Sequence, residues 1–121
     1  MIELMLEAER ALAIGQLDRA EQLYGQVVAV DPRNAIAVVG LARVALERDD
    51  QRGAYSYARR ALELDPDNPM ASHMARRMAE IMAGRGEEPP ADPPPAAGVA
   101  ASTTGPPARP GLLGRVLRRR R

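Results

Sequence analysis

The chain repeats itself with an offset of 34 residues. Asp31-Pro32-Arg33-Asn34 returns as Asp65-Pro66-Asp67-Asn68, and Leu17-Asp18-Arg19-Ala20 returns as Gln51-Arg52-Gly53-Ala54. Tyr24 and Val27 stand at the places later held by Ala58 and Ala61. A period of this length suits a helix–turn–helix unit, which buries its apolar face only by stacking on a neighbour. The repeat therefore restricts the chain to a small stack of helix pairs, a scaffold that offers surfaces for binding.

Punctuation divides the repeat into five predicted helices. The first runs from about Ile2 to Ile14 and stops at Gly15, a natural C-terminal breaker. The second spans Leu17 to Val30 and is closed by Asp31-Pro32, because proline denies the residue before it an easy helical conformation. Ala35 to Arg48 and Gln51 to Leu64 repeat the plan, with Asp65-Pro66 as the second stop. A fifth helix starts at Pro69, capped by Asn68, and frays by Gly84-Arg85-Gly86.

The 121-residue chain has no Phe, Trp or Cys, so its core must be built from Ala, aliphatics, Met and three Tyr. Small side chains of this kind favour close helix packing over a wide sandwich or barrel. Without cysteine there is no disulfide framework, zinc–thiolate site or thiol nucleophile. Every basic side chain except His73 is an arginine.

The echoed units resemble the tetratricopeptide repeat. That family places Gly before the second helix, Ala early in it, an aromatic four residues on, Ala three further, and Pro at the closing turn. Those places hold Gly15, Ala20, Tyr24, Val27 and Pro32, then Asp49, Ala54, Ala58, Ala61 and Pro66. In the first helices, Leu4, Ala8 and Ala11 fit one unit and Val38, Leu41, Ala42 and Ala45 the other. Glu7 and Asp49 depart from the pattern, and both units lack the usual first-helix aromatic. The resemblance covers about residues 1–68. It implies an all-α fold, a short right-handed α-solenoid of antiparallel helix pairs, with two units plus a capping helix within residues 1–86.

The cap is expected from Met70, Met74, Met78 and Met82, a stripe facing the helix of Tyr55 and Tyr57. Ser72, Ala75, Arg76 and Ala79 would then form the face turned to solvent. At the other end nothing covers Leu6 and Ile14, which predicts a homodimer or partner contact through that open edge, since about three repeats are usually needed for stability.

By family geometry the concave groove is lined by Met5, Glu9, Leu12 and Ala13, then Ile36, Val39, Arg43 and Glu47, then His73, Arg77 and Glu80. Members that clamp the acidic C-terminus of chaperones use Lys, Asn and Arg there. The corresponding positions here are Met5, Glu9, Gly40, Met70 and Met74, so that clamp is absent. A partner helix or extended segment with apolar anchors fits better.

Beyond the repeat, residues 87–110 hold most of the chain's 11 prolines among Ala, Gly, Ser and Thr, the composition of an extended spacer. Residues 111–121 form a basic amphipathic motif. Leu112, Leu113, Val116 and Leu117 share one side, and Arg115, Arg118, Arg119, Arg120 and Arg121 supply the charge. The tip suits docking to a protein or weak contact with an anionic membrane. Nucleic acid fits poorly, for no aromatic is present to stack on bases.

Chemistry has few candidates. His73 has no neighbouring ligand in sequence, and Asp49-Asp50 and Glu87-Glu88 sit in a turn and in the spacer. The expectation is a cytoplasmic, non-enzymatic adaptor without metal or cofactor. It binds a protein segment in its groove and is tethered by its tail; the alternative is a membrane- or nucleic-acid-associated protein anchored by that tail.

Overall fold

The computed structural model describes residues 1–90 as five helices: α1 (Ile2–Ala13), α2 (Leu17–Val30), α3 (Ala35–Glu47), α4 (Gln51–Leu64) and α5 (Pro69–Gly84). Each packs on the next, and α1 also reaches α3, making a short α-solenoid. Among the described residues there is no strand. The spacer beyond Pro90 and the docking positions Leu112 to Arg121 lie outside the described residues.

Two kinds of turn recur, and the 34-residue echo encodes both. Between pairs, the Asn34 side chain accepts from the Ala37 amide at 3.0 Å and Asn68 from Ala71 at 2.9 Å, each satisfying an orphan donor of a helix start. Within pairs, the chain reverses through a left-handed residue. The amide of Gln16 then donates to the Ala11 carbonyl at 2.8 Å, and that of Asp50 to Ala45 at 2.8 Å. The left-handed position is Gly15 in the first turn (φ +82°) and Asp49 in the second (φ +60°).

Asp49 thus keeps the turn while departing from the family's glycine, at the steric cost that a Cβ incurs in this conformation. Asp49→Gly is expected to raise stability by about 0.5–1 kcal/mol and Gly15→Asp to lower it by a similar amount. Paired urea titrations check this, and a shift of the same sign in both variants would refute it.

Tyr24 anchors the first core. It is fully buried with Leu23, Val27, Val28, Val38 and Leu41, and its ring lies against Gly40 so closely that a Cβ there would overlap the ring carbons. The second core joins α4 and α5 through Tyr55, Ala58, Met74, Met78 and Met82. Ala20 and Ala54, both fully buried, keep the helices of each pair close.

The outer face of α1 is open as expected but charged, the outer face of α5 differs from expectation, and the repeat register shows how. Because α5 packs principally on α4, its buried Ala71, Met74, Ala75 and Met78 define the face that receives a preceding helix. One period earlier the same face of α3 is Ala37, Gly40, Leu41 and Val44, also buried. One period earlier again it is Glu3, Leu6, Glu7 and Arg10, so α1 carries charge where its successors are apolar. Leu6 and Ile14 are indeed 52% and 70% exposed. Yet a second copy stacking there would also desolvate Glu3, Glu7 and Arg10, and Glu7 already pairs with Arg19 at 3.4 Å.

At the far end, Ala75 is buried against α4 instead of facing solvent. The position equivalent to Ala8 and Ala42, where helix pairs touch, is Arg76, and it is exposed. The Met stripe also divides. Successive steps of four residues drift by about 40° around a helix, so Met82 is buried while Met70 is 49% exposed on another side.

Candidate binding groove

The first helices of the pairs, α1, α3 and α5, present one side of each helix to a shared concave surface. Two adjoining cavities occupy it. The larger, about 500 Å³, lies among Leu12, Ala13, Arg43, Leu46, Glu47 and Met70. The smaller, about 380 Å³, continues past Leu46 and Met70 to His73, Met74, Arg77 and Ile81. Leu46, Met70 and Met74 belong to both, forming an apolar divide.

The anticipated lining residues separate into three groups. Leu12, Arg43, Glu47, His73 and Arg77 border the cavities. Glu9 joins them indirectly, through its ion pair with Arg43, and Ile36 is exposed one period before Met70. Met5 is half-buried and Val39 buried, both packed into the first core, so neither offers a free anchor point.

Leu46 and Ile81 are groove residues that the sequence reading did not place there, and Met70 and Met74 were placed there only as positions of the absent chaperone clamp. The register held the signal for Leu46, which follows Leu12 by one period, as Met70 follows Ile36. Exposed apolar residues recur at the start of every first helix, as Ile2, Ile36 and Met70.

The polar centre of the groove is tied to the core. Arg43 Nη1 donates to Glu9 Oε1 at 3.0 Å and to Oε2 at 3.1 Å, while the Tyr24 hydroxyl donates to Glu9 Oε2. Burial pushes the Glu9 carboxyl up, but the hydrogen bonds from Tyr24 and Arg43 and the Arg43 charge outweigh it and hold the group below its usual 4.5. Burial, then the neighbouring Glu9, raises the Tyr24 phenol.

A carboxyl whose pKa is lowered on folding stabilises the fold above its unfolded pKa. That contribution is lost as pH falls through the folded value. Wild type is therefore expected to lose thermal stability more steeply than Glu9→Gln as pH falls below the ordinary carboxyl value of 4.5. Parallel melting profiles for the two proteins would show that Glu9 carries no linkage.

Comparison with known proteins agrees with this architecture. The sequence profile of the tetratricopeptide repeat family matches residues 5–69, more than half of the chain. The chain belongs to the tetratricopeptide repeat family, a non-catalytic protein-interaction repeat. It is 33% identical over 75 residues to the cellulose synthase operon protein C of Pseudomonas fluorescens (strain SBW25), a match covering 62% of this chain and 6% of that protein. No solved structure matches. No helix among the described residues is long and apolar enough to cross a membrane.

Proposed function

We propose that this chain is an adaptor that holds a segment of another protein, helical or extended, across α1, α3 and α5. The carrying observation is the pair of adjoining cavities with Leu46, Met70 and Met74 at their divide, on the side left uncovered by α2 and α4. Apolar surface partly open to water, beside a few fixed charges, is what an anchor-bearing peptide needs. The outer faces supply less, since α1 displays Glu3, Glu7 and Arg10 and α5 displays Arg76.

Residues 1–86 act in this reading as the binding domain, 87–110 as spacer and 111–121 as a tether, in the cytoplasm. The relative named for a cellulose synthase operon shares only a stretch of 75 residues, 6% of its own length, so polysaccharide synthesis is no part of the proposal. Nor is pairing through the Leu6/Ile14 edge, and sedimentation of the full chain at micromolar concentration should show a monomer; a dimer dispersed by Leu6→Glu would reverse that.

The test captures partners with three proteins: the full chain, a version ending at Gly86, and Leu46→Glu with Met70→Glu. A partner kept by the truncation and lost by the groove variant supports the proposal. The opposite pattern, fading steeply with salt, assigns binding to the Arg-rich tail and overturns it.

A further inference from the structure

The two cavities differ in charge. In the larger one Arg43 is already committed to Glu9, and Glu47 stands beside it. The smaller is bordered by Leu46, Met70, Met74 and Ile81, and among the described residues its only polar or charged lining residues are His73 and Arg77. No carboxylate among the described residues lines it. Arg77 is exposed and makes no ion pair or hydrogen bond among the described residues, although Glu80 lies three residues on in the same helix. Arg19, Arg43, Arg48 and Arg60 have carboxylate partners, whereas Arg10, Arg33, Arg76 and Arg85 have none among the described residues, so Arg77 is set apart by its place on the pocket.

An apolar recess of about 380 Å³ is large enough for an aliphatic or methionine anchor, and its thioether walls adapt to side-chain shape. A carboxylate one or two residues from such an anchor would meet the Arg77 guanidinium, whose planar fork donates to both oxygens. A cationic neighbour would instead bring like charges together. That same repulsion disfavours this chain's own tip, whose Leu112, Leu113, Val116 and Leu117 are interleaved with and followed by arginines.

Building on the groove-binding function above, we propose that the pocket between α3 and α5 takes the aliphatic anchor of an acidic segment from a partner protein, with a side-chain carboxylate of that segment paired to Arg77. Arg77 thereby selects among segments that the apolar walls alone would accept alike.

The experiment selects binders to the full chain from a phage library of random dodecapeptides and measures the best ones by fluorescence anisotropy. Recovered peptides should place Asp or Glu beside Leu, Ile or Met. Their dissociation constants should rise roughly tenfold or more in Arg77→Glu, while Arg76→Glu, an identical charge change outside the pocket, leaves them unchanged. Peptides with neutral or basic flanks, or acidic peptides indifferent to Arg77→Glu, overturn the proposal.

Groove binding is tested separately. Peptides lost in Leu46→Glu with Met70→Glu but insensitive to Arg77→Glu leave groove binding standing and remove only the acidic preference. Peptides insensitive to both variants, or no recovered peptides, count against groove binding itself. Should the double variant misfold by circular dichroism, Ile36→Glu, on an exposed residue of the same surface, replaces it.

Discussion

Tyr24→Ala is expected to remove most of the stability of this fold. Truncating a fully buried aromatic costs about 3–5 kcal/mol. A domain of this described length holds on the order of 5–10 kcal/mol in total. Tyr24 is the largest fully buried side chain, and it lies where α2 meets α3. Its loss opens a cavity between helices that Ala20 and Ala37 are too small to fill. Tyr24→Phe keeps the ring and deletes only the hydroxyl that donates to Glu9, so it should cost about 1 kcal/mol. Urea titrations followed by far-UV circular dichroism read both. A Tyr24→Ala midpoint equal to that of wild type would mean that the ring is not the keystone between the pairs.

Gly40→Ala is the second large effect, and its sign is diagnostic. On an open helix surface, glycine to alanine stabilises by about 1 kcal/mol, because alanine gives up less backbone freedom. Gly25, in α2 with nothing near its absent Cβ, should behave that way. At Gly40 the added methyl overlaps the Tyr24 ring, which is enclosed on every side and cannot swing away. The expected result is a loss of about 1–3 kcal/mol. In a Tyr24→Leu background the clash is relieved and Gly40→Ala should turn neutral or stabilising, a coupling of about 0.5–3 kcal/mol. Equal effects in both backgrounds would separate the two residues.

The helix plan was readable because its determinants are local. Asp31-Pro32 and Asp65-Pro66 stop helices, Asn34 and Asn68 start them, and structure and sequence agree on the ends to within one residue at α1 and α3. The groove was less readable because facing depends on rotation about a helix axis. A stripe written every four residues drifts, so Met70 looks into the groove although Met82 is in the core. Val39 was expected in the groove and lies in the first core, because α3 has neighbours on more than one side. Arg43 could be placed on the groove from its position alone. Its commitment to Glu9, one full period away, could not.

By itself the sequence determined the repeat, its turns, its family and the exclusion of cysteine chemistry. All of these follow from residue identity at fixed spacing, through backbone sterics and hydrogen bonding within a few residues. Tertiary structure alone decided which of the described arginines pair with a carboxylate, which methionines remain open, and why position 40 tolerates no side chain. Those facts depend on distances between side chains far apart in sequence, as with Tyr24 and Gly40 or Glu9 and Arg43, and only the packing of helix on helix brings such residues together.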